Sequence, residues 1–223
     1  MDELTLVQQL AVLVLPVILA ITVHEAAHGY VADRLGDRTA RMLGRVTLNP
    51  LRHIDPLGTV LLPLGMYALT GFLFGWAKPV PVNPRNLARP RRDMAIVAAA
   101  GPLSNLIMAA LWSGAILAGG WLLPVSSWVG APLLLMGAAG VLINAILLVL
   151  NMIPLPPLDG GRVLVGLLPT RLARIVAQIE PYGLFILVAL LVTGALGRLV
   201  SPLVVGAVLM LPGSEVVLRL FFS

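Results

Sequence analysis

The chain has 223 residues, of which 59% are hydrophobic and only 11% are charged. An ordinary soluble domain carries roughly a quarter charged residues, so this composition excludes a typical soluble globular protein and indicates a chain that lies largely in lipid. The long apolar runs also exclude a membrane β-barrel, whose short strands would alternate between apolar and polar residues.

Two further features of the composition limit the function. The chain contains no cysteine, which excludes disulfides and thiolate metal sites, so any metal ligand must come from His, Asp, Glu or backbone oxygen. The net charge is +5. Because the basic residues lie in a few loops beside apolar runs, they are typical of cytoplasmic anchoring in a membrane protein, and nucleic acid is not an expected partner.

The predicted elements begin with an apolar helix over residues 4–35, which is expected to bend at Pro16. In the basic loop that follows, the sequence RMLGRVTLN at residues 41–49 is predicted to form a short strand or hairpin. Residues 57–77 are apolar but are interrupted by proline and glycine residues. Four apolar segments complete the chain, at residues 94–123, 131–153, 182–197 and 202–220.

The charged loops predict how these segments are oriented. Three basic loops, 34–52, 78–92 and 162–174, are expected to be cytoplasmic, and the uncharged loop 124–130 is expected to lie outside. Since residues 57–77 have a cytoplasmic loop on each side, they are predicted to enter the membrane and return, with a true span as the alternative.

The sequence therefore predicts an all-α polytopic membrane protein of about five to six transmembrane helices, with a re-entrant hairpin or short β element on the cytoplasmic side. No interior linker is long enough to hold a separate soluble domain. Residues 1–223 are predicted to form a single membrane-embedded domain, with a core at residues 4–165 and C-terminal helices at residues 182–220.

The motif HEAAH at residues 24–28 indicates a metal site at the end of the first apolar segment. Residues i and i+4 share one helix face, so His24 and His28 can reach the same ion, while Glu25 stands beside the ion without binding it. Zinc lowers the pKa of a bound water to about 7, and a nearby carboxylate can take its proton. The alternative is a solvated helix face, but ionisable groups in an apolar segment are costly and usually functional.

A catalytic zinc site normally has a third protein ligand. Asp159 in NMIPLPPLDGGR is the favoured one, because prolines break the helix before it and two glycines let the backbone turn after it. The sequence also predicts two membrane crossings between residues 92 and 154, and these bring the chain back to the side of the membrane where His28 lies. His53 is the alternative ligand, although a solvated loop histidine is its simpler interpretation, and taken alone Asp159 would be an ordinary turn residue.

HEAAH, AAAGPLSN and NMIPLPPLDGGR, in this order on apolar helices, resemble the motifs of the site-2 protease family of intramembrane zinc metalloproteases, peptidase family M50. The resemblance covers at least residues 20–165. It is closest to small prokaryotic members that carry FGWAKPVPVNP after the first basic loop, and the chain has no room for the PDZ or CBS domains of some relatives.

The resemblance implies one Zn²⁺ per chain, with Glu25 as the catalytic glutamate. Asn151, in the motif that contains Asp159, is implied to hold substrate or stabilise the oxyanion. Asn105 is a second candidate for such a polar contact, and Gly101 and Pro102 are implied to serve helix packing. The implied zinc ligands are His24, His28 and Asp159.

The activity implied is hydrolysis of a peptide bond within or near the transmembrane segment of a membrane protein, often a single-pass regulator. The enzyme is expected to be a multi-pass protein of the prokaryotic inner membrane, in contact with the lipid bilayer, and its active site is expected to face the cytoplasmic side. An edge strand at residues 41–49 or 78–83 would hold the unwound substrate by strand addition.

Two other classes of function remain open from the sequence. A membrane metal carrier or channel would also use intramembrane His and Asp residues, although it does not explain Glu25 between the histidines. A catalytically silent homologue that acts as a binding scaffold is the third interpretation, and the intact ligand set argues against it.

Overall fold

The computed structural model describes residues 5–55, 58, 61 and 78–222, and within these residues it contains helices and no β-strand. The predicted re-entrant segment at residues 57–77 lies almost wholly outside the described residues. Short 3₁₀ turns occur at Pro50–Arg52 and Pro84–Asn86. The described α-helices are α1 (Leu6–Arg34), α2 (Thr39–Met42), α3 (Pro90–Leu122), α4 (Ser127–Asn151), α5 (Asp159–Leu167), α6 (Thr170–Ala177), α7 (Glu180–Val192), α8 (Ala195–Leu209) and α9 (Ser214–Phe221).

Helices α1, α3 and α4 are long and apolar enough to cross a membrane. Helices α6 and α7, which meet at a 58° bend, would make a fourth crossing if they act as one span, and α8 is a shorter apolar helix. The described part of the chain is thus all-helical with three or four candidate spans, against the prediction of about five to six.

The predicted strand at residues 41–49 is wrong. Residues Thr39–Met42 form a helical turn, and the following backbone N–H groups of Gly44 and Arg45 donate to the carbonyls of Arg41 and Ala40 at 2.9 Å each. These local bonds use the donors that a strand would offer to a neighbour. Gly44 then adopts φ 62, a left-handed conformation that suits glycine and ends the turn.

The last predicted segment, residues 202–220, is divided into two helices rather than one. Gly213 adopts φ 77, so the chain turns between α8 and α9. The break lets α9 pack back on the bundle, and Val217 of α9 is fully buried. The main apolar cluster therefore lies between four helices and contains Ile116, Ala138, Val141, Ala145, Val204, Val208 and Val217.

Small residues allow α3 and α4 to pack closely as an antiparallel pair. A Cβ atom added to Gly119 would lie 2.5 Å from Leu134 N, and one added to Gly137 would lie 2.7 Å from Ile116 N. Such spacing is typical of membrane helices, in which small residues let backbones approach. Helix α1 packs against both members of this pair, so its histidines face α3.

Asp37, just after α1, joins the end of this helix to residues 83–86. Its buried carboxylate accepts hydrogen bonds from Thr39, from Asn83 N at 2.6 Å and from Asn86 Nδ2 at 2.8 Å. Burial acts to raise the pKa of Asp37, but these hydrogen bonds outweigh it and hold the pKa below its ordinary value. These bonds fix residues 83–86 beside the end of α1, and the residues before them, from Lys78 onwards, run along α1 as far as Glu25.

Candidate metal centre

Three buried side chains from two distant parts of the chain meet beside α3. His24 and His28 lie on successive turns of α1, and their Nε2 atoms are 3.0 Å apart. Asp159, the first residue of α5, places its Oδ2 atom 3.2 Å from His24 Nε2 and 3.3 Å from His28 Nε2. Among the described residues these three form the one group of His, Asp or Glu side chains that could hold a metal ion.

Close backbone packing brings Asp159 to the histidines. A Cβ atom on Gly160 would lie 2.6 Å from the Ile153 carbonyl oxygen, and one on Gly161 would lie 2.6 Å from Pro156 Cδ. Neither glycine has a positive φ. The two glycines therefore serve close approach, which lets the first turn of α5 rest on the proline-containing loop, rather than the backbone turn expected from the sequence.

The Nδ1 atom of each histidine, which points away from the group of possible ligands, is hydrogen-bonded to an acceptor. His28 Nδ1 lies 2.8 Å from the Val97 carbonyl oxygen, and His24 Nδ1 lies 2.6 Å from Asn105 Oδ1. The Asn105 amide is oriented by its nitrogen, which donates to the Ala20 carbonyl oxygen at 3.3 Å. Both Nδ1 atoms therefore act as donors, and in the neutral imidazole each Nε2 atom then presents a lone pair.

This arrangement fits a zinc ion. Two nitrogen lone pairs and a carboxylate oxygen face one another in a buried space, and their repulsion is relieved when a cation lies between them. Ligand atoms that are about 2.0–2.2 Å from a tetrahedral zinc are about 3.3–3.6 Å apart, and the three separations here, 3.0, 3.2 and 3.3 Å, need only a small outward shift to reach this range. Three protein ligands of the His and Asp type leave the fourth position of a tetrahedral site open, as in catalytic zinc sites.

Glu25 stands beside this group and is not part of it. Its side chain is half-buried, and its Oε2 atom accepts a hydrogen bond from the backbone N–H of Val80 at 2.8 Å. A carboxylate in this position can accept or return a proton next to the metal without occupying a ligand position.

Comparison with known proteins gives the family. A family model described as peptidase family M50 matches residues 124–194, which include Asp159. The chain is 39% identical over 189 residues to the Bacillus subtilis (strain 168) protein named "Putative zinc metalloprotease YwhC", and the match covers 81% of this chain and 80% of that protein. The chain belongs to peptidase family M50.

The family assignment confirms the resemblance that the motifs indicate. Two mycobacterial proteins with the printed name "Putative zinc metalloprotease Rip2" are also similar. The one from Mycolicibacterium smegmatis is 32% identical over 184 residues, with 81% of this chain and 66% of that protein covered. The one from Mycobacterium tuberculosis H37Rv is 31% identical over 177 residues, with 78% and 63% covered. This chain thus spans about two thirds of each Rip2 protein, and no solved structure matches it.

Three other residues named from the sequence lie outside the group of possible metal ligands. His53 is buried, and its Nε2 atom lies 3.0 Å from the Thr47 carbonyl oxygen, so it is outside the group of possible ligands. Asn151 ends α4, and its side-chain amide donates to the Leu147 carbonyl oxygen at 3.0 Å. Asn105 lies behind His24, on the side away from Asp159. A substrate contact of Asn151 or Asn105 stays a prediction.

Asn144 is a residue of the site that motif reading missed. Its Oδ1 atom accepts from Asn105 Nδ2 at 2.9 Å, and its own amide donates to the Gly140 carbonyl oxygen at 2.8 Å. These bonds form a chain from α4 through Asn105 to His24. The sequence signal for Asn144 is an amide in the middle of an apolar helix, because a buried polar residue in such a helix is usually functional.

The Asn105 amide is expected to support zinc binding by orienting His24. In an Asn105→Leu variant the imidazole loses its acceptor, and zinc affinity should fall about 10- to 100-fold. Asn105→Asp keeps an acceptor and should bind more tightly than the leucine variant. Affinity is measured by competition with a chelator of known zinc affinity. The control is Ser113→Ala, which removes a different hydrogen bond of α3, from Ser113 Oγ to the Pro212 carbonyl oxygen. If Asn105→Leu bound zinc as tightly as the wild type, the role of Asn105 in orienting His24 would be contradicted.

Gly101 of α3 is expected to tolerate no side chain. A Cβ atom there would lie 2.6 Å from His24 Nε2 and even closer to His28 Nε2, in the space that both nitrogens face. Gly101→Ala should therefore lose most of its bound zinc, measured as metal per chain. Gly114→Ala is the matched control, because a Cβ at that position of α3 meets nothing within 4 Å. A Gly101→Ala protein with the zinc content of the control would show that the metal lies elsewhere.

Proposed function

We propose that the chain is a zinc metalloendopeptidase that hydrolyses a peptide bond within or near the transmembrane segment of a membrane protein. The observation that carries the proposal is the meeting of His24, His28 and Asp159 beside the carboxylate of Glu25 at the end of an apolar helix. The M50 family and the names of the relatives support it.

Each residue has a distinct part in the proposed reaction. Bound Zn²⁺ supplies Lewis acidity, which lowers the pKa of water to about 7 and polarises the scissile carbonyl. His24, His28 and Asp159 would hold one such ion per chain. Glu25 takes the proton from the attacking water and gives it to the leaving nitrogen, so the peptide bond and one water become a carboxylic acid and an amine.

The position of the site supports a substrate that lies in the membrane. His24 and His28 are in the last turns of the candidate span α1, next to the basic stretch that the positive-inside rule assigns to the cytoplasm. We therefore propose a multi-pass protein of the prokaryotic inner membrane with its active site toward the cytoplasmic side. A single-pass membrane protein is the proposed substrate class, and residues 1–223 are proposed to act as one domain.

The proposed activity is tested with synthetic single-span peptides in detergent or lipid. An Asn-Gly pair, which weakens a helix locally, is moved stepwise along an apolar helix of about 20 residues. Incubation in water enriched in oxygen-18 is expected to give fragments whose new carboxyl group carries the label. If the zinc-loaded, folded protein cleaves no peptide of the panel, and zinc crosses liposomes that contain it, the protein is a carrier rather than a protease.

A further inference from the structure

One oxygen of the Glu25 carboxylate is already bound by the protein. Val80 N donates to Glu25 Oε2 at 2.8 Å, across a separation of 55 residues in the chain. Val80 is 8% exposed, so solvent does not readily replace this bond. It lies in residues 78–83, a stretch without regular secondary structure, within the sequence FGWAKPVPVNP, to which the proposed reaction gives no role.

Arg45 holds this stretch against α1. Its Nη2 atom donates to the carbonyl oxygens of Lys78 at 2.8 Å and Pro79 at 3.2 Å, the two residues just before Val80. The Arg45 side chain is 8% exposed, which is unusual for arginine and fits a structural role. Two further bonds secure the ends of the stretch: Lys78 N donates to His53 O at 2.9 Å, and Asn83 N donates to Asp37 Oδ2 at 2.6 Å.

These bonds leave little of residues 78–81 available as an edge strand. The N–H groups of Lys78 and Val80 are in use, Pro79 and Pro81 have none, and the carbonyls of Lys78 and Pro79 accept from Arg45. A substrate that added to this edge would first have to break the bonds that hold the stretch in place. The polar backbone groups of this stretch are therefore bound to the protein itself, and the N–H of Val80 is bound to Glu25.

We propose that the backbone amide of Val80 positions the carboxylate of Glu25, and that Arg45 holds this amide in place. The inference rests on the proposed protease function. A hydrogen bond from an N–H to a carboxylate is charge-assisted, and it directs Glu25 Oε2 toward Val80. Glu25 Oε1 is then the oxygen that exchanges protons with water and the leaving nitrogen. Without the amide, the glutamate side chain would sample several rotamers and spend less time in the reactive geometry.

The sharpest variant is Val80→Pro, because it removes the N–H group that donates to Glu25. Prolines already occupy both neighbouring positions, and residues before a proline favour the extended backbone that proline also adopts, so the backbone accepts the change. The ring Cδ takes the position of the amide hydrogen, so the Glu25 carboxylate also has to move away from residue 80. We expect cleavage of a panel peptide to fall about 10- to 100-fold in kcat, with KM and zinc content close to wild type. Val80→Ala keeps the amide and is the matched control, which should retain most of the activity.

Arg45 is tested by a pair of variants. Arg45→Met removes both hydrogen bonds to residues 78 and 79 and should lower kcat without loss of zinc. Arg45→Lys retains a donor and should recover part of that loss. A merely structural role would lower the melting temperature and zinc content together with activity, so both are measured for every variant.

Hydrogen exchange tests the contact without a substrate. Val80 carries the only N–H group of Pro79–Val80–Pro81, so its exchange follows from the difference between two fragments that end just before and just after Val80. Exchange at Val80 should be at least about tenfold faster in Glu25→Ala than in wild type, because the acceptor is gone. Equal exchange in the two proteins would overturn the contact.

The outcomes separate this inference from the proposed function. If wild type cleaves the panel and Val80→Pro cleaves it equally fast, the positioning role is wrong and the protease function stands. If wild type cleaves nothing, the function fails, and the exchange experiment still decides whether the amide of Val80 binds Glu25.

Discussion

Asp159→Ala is expected to remove most of the bound zinc, from about one ion per chain in the wild type. The Asp159 carboxylate oxygen lies 3.2 and 3.3 Å from the two Nε2 atoms and supplies the only negative charge in the donor set. The two imidazoles that remain on one helix face bind zinc far more weakly than the full set of three protein ligands. Zinc per chain is measured in detergent-purified protein that is prepared without any chelator.

Asp93→Ala is the matched control for Asp159→Ala. Asp93 is also a buried aspartate in the first turn of a helix, where it accepts from Arg89 N at 2.7 Å, and it is outside the donor group. This variant should keep its zinc. Full zinc in Asp159→Ala would remove Asp159 as a ligand and return His53 to consideration, and a wild type that cannot be loaded with zinc would favour a silent homologue.

Glu25→Gln is expected to keep its zinc and to lose hydrolysis by about 10²- to 10⁴-fold, the usual contribution of a general base. Glutamine has nearly the same shape, and its carbonyl oxygen can still accept the N–H of Val80, so the local geometry is retained. It cannot take a proton from water at neutral pH. The measurement is the rate of oxygen-18 incorporation into the products of a panel peptide, together with zinc per chain.

Glu215→Gln provides the control for Glu25→Gln, since Glu215 lies in the first turn of α9 and carries the same charge. It should cleave at the wild-type rate. If Glu25→Gln hydrolysed peptide as fast as this control, Glu25 would not be the base. If the variant moved zinc across a liposome membrane as the wild type did, with neither protein cleaving peptide, the carrier interpretation would be favoured.

Local patterns were enough to predict the long helices and the histidine pair. The predicted segments 4–35 and 94–123 correspond to Leu6–Arg34 and Pro90–Leu122, because long apolar runs allow few alternatives. The shared face of His24 and His28 follows from the period of the α-helix alone. By contrast, the apolar residues at 41–49 suggest a strand, although Gly44 and local hydrogen bonds make a helical turn there. The apolar run 202–220 likewise suggests one helix, although Gly213 breaks it before α9.

The amino-acid sequence is sufficient to predict the class of protein, the order of the main helices, the histidine pair with its adjacent glutamate, and Asp159 as the favoured third ligand. Composition, helical period and motif spacing are properties of short stretches, so they can be read without coordinates. Three features could be found only in the folded chain: Asp159 Oδ2 lies close to both Nε2 atoms, the amides of Asn105 and Asn144 orient His24, and Val80 N donates to Glu25. Each of these contacts joins residues far apart in the chain, and its length depends on how α1, α3, α4 and α5 pack, which no local propensity encodes.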